Sequence, residues 1–147
     1  MSYLLDTCIL SKLRKIAKQP DIKLENWIKK HNENLYFISA LTIGEIQSGI
    51  SKLNLKKNEG AHKRLLLEDW LLEELIPRFH NRILSIDVEV VLAWGRLFGE
   101  KKQKGLIIPV VDSLIAATAI VHNLTLVTEN ISDFIETGAR LFNPWLD

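Results

Sequence analysis

Four acidic residues recur along the chain beside apolar runs. Asp6 ends Tyr3-Leu4-Leu5, Glu45 follows Leu35-Tyr36-Phe37-Ile38, Asp112 opens the run from Ser113 to Val121, and Asp133 follows Leu124-Thr125-Leu126-Val127. If the runs are neighbouring parallel strands, their carboxyl ends lie side by side, at the edge where open α/β sheets bind ligands. Carboxylates gathered there repel one another unless a cation sits among them. Hard oxygen ligands of this kind suit Mg²⁺ or Mn²⁺. The pattern points to metal-dependent catalysis on phosphates.

Each acid also has a plainer explanation. Asp6 and Asp112 stand where a helix N-cap is expected. Glu45 can close a capping box onto Thr42. Asp133 can cap the short segment Phe134-Ile135-Glu136, and Asp87 reads as a cap only. Spacing does not select which of the 18 acids converge. The set argues more strongly than its members, because Asp6 ends an apparently central strand, and burying a carboxylate without a cation is costly.

Other chemistries fit poorly. His31, His62, His80 and His122 have no metal-like spacing with one another or with Cys8, which weighs against zinc. Cys8 has no evident histidine partner and reads as a small core residue. No Gly-rich phosphate loop is present. Trp27, Trp70, Trp94 and Trp145 have apolar neighbours and read as core or interface residues rather than base-stacking platforms.

The elements that must position the acids alternate. Tyr3 to Leu5 reads as a first strand and Asp6-Thr7 as the start of a helix carrying Ile9, Leu10, Leu13 and Ile16. Pro20-Asp21 breaks that helix, and Ile22 to Lys30 forms a second with Trp27 inward. Leu35 to Ile38 is a strand, followed by a helix with Ile43, Ile46, Ile50 and Leu53 on one stripe. A polar break over Asn54 to Gly60 precedes a leucine-rich helix from His62 to Leu75, closed by Pro77. A strand over Arg82 to Ile86, a helix from Val88 to about Lys102 and a loop from Gln103 to Pro109 follow. An apolar helix from Val111 to Val121 ends at Asn123, with strands at Leu124 to Thr128 and Ala139 to Phe142. Strand–helix alternation predicts a parallel sheet with helices on both faces, in one domain over residues 1–147.

Composition is that of an ordinary globular chain: 147 residues, 47% hydrophobic, 25% charged and net charge +1. Setting the four clustered negative charges aside raises the balance of the remainder to +5. Basic residues come in groups at Lys12 to Lys18, Lys52 to Lys57 and Lys101 to Lys104, and read as solvated helix faces. A single cysteine allows no intrachain disulfide and fits a reducing compartment. No stretch has the length and apolarity of a membrane span. A cytoplasmic protein is the expectation.

Four blocks carry a resemblance. Leu4-Leu5-Asp6-Thr7-Cys8-Ile9-Leu10-Ser11, Ser39-Ala40-Leu41-Thr42-Ile43-Gly44-Glu45-Ile46, Pro109-Val110-Val111-Asp112-Ser113-Leu114-Ile115-Ala116-Ala117 and Thr128-Glu129-Asn130-Ile131-Ser132-Asp133-Phe134 resemble, in order, the motifs of PIN-domain proteins. Asn143-Pro144-Trp145 is similar to the close of the FitB-type branch of VapC toxins. The resemblance implies a three-layer α/β/α fold around a central parallel sheet of four to five strands. It also implies a Mg²⁺-dependent endoribonuclease in which Mn²⁺ can substitute, the toxin of a type II toxin–antitoxin pair. RNA substrate, a cognate antitoxin and a homodimer come with it. The family's first three acids fall on Asp6, Glu45 and Asp112. The fourth falls on Asn130 or Asp133, and the carboxylate neutralises metal charge better. Thr7, Ser11 and Thr128 are the small polar residues expected near the site. The family often has Asn in place of Cys8, and a thiol is the poorer donor for orienting Asp6. The rival readings are a nuclease of the same fold acting on DNA or structured nucleic acid, and a PIN-like binding module without turnover.

Overall fold

The computed structural model describes residues 1–53 and 58–146. Five strands, β1 (Tyr3–Leu5), β2 (Tyr36–Ser39), β3 (Ile83–Leu84), β4 (Thr125–Val127) and β5 (Leu141–Phe142), form one sheet in the order β3-β2-β1-β4-β5. Every pairing is parallel. Tyr3 stands opposite Tyr36 and Thr125, and Leu5 opposite Val127. The first strand of the chain is therefore the central one, and its carboxyl end lies between those of β2 and β4.

Side chains alternate across this sheet. Tyr3, Leu5, Tyr36, Ile38 and Val127 share one core with Leu10 of α1 (Thr7–Lys15), Leu24 and Trp27 of α2 (Ile22–Lys29) and Ile46 and Ile50 of α3 (Ala40–Ser51). Leu4 and Leu126 face the other core, with Ile115, Ala116 and Ala119 of a later helix and Phe134. The result is helices on both faces of a parallel sheet, as the alternation predicts.

Local signals explain most helix ends. Asp21 caps α2 by accepting from Leu24 N–H at 3.1 Å. Asp87 caps α6 (Val88–Gln103) by accepting from Val90 N–H at 3.0 Å, which is the role expected of it. The polar start of α7 (Val110–Val121) is bound to α6, with Trp94 Nε1 donating to Ser113 Oγ at 2.9 Å. Asn123 ends α7 in the left-handed region, φ 55°. Among the four tryptophans, Trp27 is buried and Trp70 packs against the first core. Trp94 stacks on Phe98, and Trp145 lies under the Lys12 ammonium. No helix among the described residues is long and apolar enough to cross a membrane.

Three local expectations are corrected. The helix after β2 starts at Ala40, where Ser39 accepts from Leu41 N–H at 3.1 Å. Thr42 and Glu45 therefore form no capping box. Thr42 lies fully buried inside α3, and its hydroxyl has no hydrogen-bond partner among the described residues. The leucine-rich helix starts at Asn58 rather than His62 (α4, Asn58–Asp69) and does not stop at Pro77. It widens into a π-helical stretch over Trp70–Leu75 and runs on through α5 (Ile76–Arg78). A wider turn relieves the clash of a proline ring with the preceding turn. β3 is two residues long, not five, because at the sheet edge it has only Ile38 and Ser39 to pair with. Of the expected polar break, Asn54 to Lys57 lie outside the described residues, and with them the basic pair Lys56 and Lys57.

Candidate active site

Asp6 follows β1 directly. Its N–H donates to Val127 O at 3.0 Å, which extends the β1–β4 ladder by one step. Its side chain is the N-cap of α1, with Oδ1 accepting from Thr7 N–H at 2.8 Å. The other oxygen, Oδ2, accepts from Thr128 Oγ1 at 2.9 Å and more weakly from Cys8 Sγ at 3.6 Å. The cap and the site residue are thus one side chain using its two oxygens separately. Asp6 is 8% exposed, so three donors hold a nearly buried carboxylate in one orientation.

Thr128 is the fixed point behind Asp6. It is fully buried, its N–H donates to Phe142 O at 3.0 Å, and its hydroxyl accepts from Asn130 N–H at 3.0 Å. The orienting work expected of an amide at position 8 falls on this threonine. Burial pushes the Cys8 thiol up to about 11, with the Asp6 charge adding to it, so the thiol stays neutral beside the carboxylate.

The other three acids reach the same place from helices, not from strand ends. Glu45 is on α3, exposed, with its Oε1 accepting from Thr7 Oγ1 at 2.7 Å. Asp112 is not the cap of α7. Pro109 precedes that helix and Asp112 lies in its first turn, where the helix dipole favours negative charge. Asp133 lies in the short helix α8 (Ile131–Phe134) and caps nothing, since Asn130 precedes the helix and makes no side-chain cap. Their convergence is read from Asp112. Its carboxyl is pushed up from 3.8 to about 6, first by burial and then by repulsion from Asp6, Asp133 and Glu45. The charges of Asp6, Asp133 and Glu45 thus all bear on Asp112.

The supporting residues separate. Thr7 and Thr128 each donate to a carboxylate. Asn130 contributes its backbone, with N–H to Thr128 and carbonyl to Asp133 N–H at 3.1 Å. Ser11 makes no hydrogen bond among the described residues. Sequence reasoning missed the pair Lys12–Glu129, 3.0 Å apart, which ties α1 to the loop after β4. Its only signal was the position of Glu129 between Thr128 and Asn130.

All these donors are hard oxygens, and the repulsion on Asp112 is of the kind a divalent cation relieves. Among the described residues, no three His, Cys, Asp or Glu side chains are already drawn together closely enough to hold an ion. The carboxylates fit such an ion in chemistry and are carried by four elements.

Over residues 3–139 the chain matches the PIN domain family. This chain belongs to that family. Ribonuclease VapC2 of Rickettsia felis is 35% identical over 147 residues, covering 99% of this chain and 98% of the relative. Toxin FitB of Neisseria gonorrhoeae is 32% identical over 145 residues, 98% and 99% of the two chains. The crystal structure of FitAcB from the same organism superposes with a TM-score of 0.84 at 28% identity, over 99% of each chain. The PIN domain described here is thus of the VapC and FitB kind, with the parallel five-stranded sheet of that fold.

The repulsion makes a signed prediction. The Asp112 carboxyl binds its proton more tightly folded than unfolded. Its ionisation therefore costs stability as pH rises from about 3.8 to about 6, with the full cost above that. In metal-free protein, Asp112→Asn should raise the Tm at pH 8. The gain should shrink between pH 6 and 4 and vanish below about pH 4. A gain that does not depend on pH, followed by thermal melts, would contradict this account.

Proposed function

We propose that this PIN domain is a Mg²⁺-dependent endoribonuclease, with Mn²⁺ able to substitute, and the toxin half of a toxin–antitoxin pair. The observation that carries the reading is the bearing of Asp6, Glu45 and Asp133 on Asp112 at one sheet edge. Relatives called ribonuclease and toxin at more than 30% identity support it. Asp6, Asp112, Glu45 and Asp133 would hold the metal. When bound, the ion supplies charge stabilisation on the scissile phosphate and acidifies water.

The chain's own residues do the rest. Asp6 keeps Oδ2 in a fixed direction through Thr128, so its metal-facing geometry needs little reorganisation. Glu45, exposed and steadied by Thr7, is the carboxylate free to take a proton from the attacking water. Asp112 sits at a helix N-terminus, whose dipole favours its charged form when a cation removes the repulsion. Asp133 rather than Asn130 is the fourth ligand in this reading, because Asp133 acts on Asp112 and Asn130 acts through its backbone. Water as attacker leaves a 5′-phosphate and a 3′-hydroxyl.

A homodimer accompanies this reading. Val88, Leu92, Ile107 and Val110 expose 75%, 56%, 77% and 49% of their surface along α6 and the start of α7. The patch continues to Val111, next to Asp112, so a second copy covering it would wall one side of the site.

RNA and DNA substrates incubated in parallel with Mg²⁺ test the activity. RNA should be cleaved, EDTA should stop it, and Asp6→Asn or Asp112→Asn should abolish it with the fold intact by circular dichroism. Cleavage of DNA alone, or turnover in EDTA, would overturn the reading. For the assembly, Leu92→Glu with Ile107→Glu should convert a dimer to a monomer by sedimentation, and an unchanged mass would place the interface elsewhere. For control, the acidic site calls for an antitoxin whose inhibitory residue is Arg or Lys, able to displace the metal and pair with Asp6 or Asp112. Titrating that antitoxin's C-terminal segment should block cleavage and raise the Tm. Replacing its basic residue with Ala should restore cleavage more than it weakens binding, and undiminished inhibition would exclude metal displacement.

A further inference from the structure

A metal held by the four acids would engage the scissile phosphate alone, so the flanking nucleotides call for contacts elsewhere on the molecule. A cleft of about 840 Å³ opens between α2 and the C-terminal segment after β5. Its floor is an aromatic cluster. The Trp27 ring centroid lies 5.1 Å from Tyr3 and 5.5 Å from Phe142, the latter stacked. Its rim carries Lys23, Lys29 and Lys30, and no carboxylate lines it among the described residues. All three lysines are exposed and none is ion-paired among the described residues. Lys23 Nζ donates to Trp145 O at 3.0 Å, a neutral acceptor.

One wall of the cleft is tied to the loop after β4 through Lys12. Half-buried Trp145 forms one wall, fixed by Nε1 donating to Asp21 Oδ2 at 2.8 Å. The Lys12 ammonium lies 4.6 Å from the Trp145 ring centroid and 3.0 Å from Glu129, the residue after Thr128. Lys12 therefore links the Trp145 wall of the cleft to the loop that follows Thr128.

We propose that this cleft is a second binding site for single-stranded RNA, holding the flank of the substrate away from the scissile bond. The inference rests on the ribonuclease reading for its biological use, but not for its measurement. The half-buried rings of Phe142 and Trp145 suit flat bases, and lysines with no ion pair among the described residues suit phosphates. A single nucleic acid strand repeats a flat base and a phosphate at every step and so matches both.

The test measures binding of a short fluorescein-labelled single-stranded RNA in EDTA, where no cleavage occurs, against salt concentration. Lys29→Ala and Lys30→Ala are exposed changes that leave the fold intact. Each should weaken binding and flatten the slope of log affinity against log salt by about 0.7. Trp145→Phe should bind better than Trp145→Ala. With Mg²⁺, the lysine variants should raise KM for long RNA, leave kcat unchanged, and cleave a dinucleotide too short to reach the cleft as wild type does. Unchanged affinity and slope would overturn the proposal. So would equal loss of binding to poly-glutamate and to RNA, which would assign the cleft to an acidic protein segment. If the wild type cleaves no RNA yet binds it with this lysine dependence, the ribonuclease reading fails and the RNA site stands.

Discussion

The site depends on one constraint: Asp6, Glu45, Asp112 and Asp133 are carried on separate elements, and the charges of the other three bear on the half-buried Asp112. Four like charges do not collect at a sheet edge spontaneously. They are held there because each is carried by an element whose position is fixed by burial elsewhere. β1 is wedged between β2 and β4, α3 packs Ile46 and Ile50 into one core, and α7 packs Ile115 and Ala116 into the other. The strain is concentrated on Asp112, half-buried with the other three acting on it. Asp6 accepts from three donors of its own. One carboxylate is thus preset by the protein, while another is left unsatisfied until something positive arrives.

Most of the fold was legible because its signals are local. Strand and helix alternate, Asp21 and Asp87 cap as their positions suggest, and Asn123 takes the left-handed turn. The errors arose where two local solutions compete. Ser39 and Thr42 both offer a hydroxyl to the start of α3, and the chain uses the first. Pro77 usually ends a helix, but a widened turn just before it let the helix continue.

The site was legible in part. Of the four acids, only Asp6 directly follows a strand. Glu45, Asp112 and Asp133 arrive on helices, and apolar runs do not reveal how a following helix turns its face. The second layer of contacts was invisible for a different reason. Thr7 meets Glu45 across 38 positions, and Thr128 meets Asp6 across 122. The lysines of α2 form no group in the sequence, and only the fold sets Lys23, Lys29 and Lys30 beside Phe142 and Trp145.

The bond between Asp6 and Thr128 has a bearing on the protein's birth. Its two ends leave the ribosome far apart in time, and the central strand that carries Asp6 lacks its neighbour β4 until residue 127 has emerged. Parallel pairings between such distant segments form late, because loop closure precedes any reward from contact. A nascent or truncated chain therefore has no oriented Asp6, and so no competent cutting site. On the proposed toxin reading, the topology itself would delay activity until synthesis is nearly done, which leaves an interval for an inhibitor to be waiting.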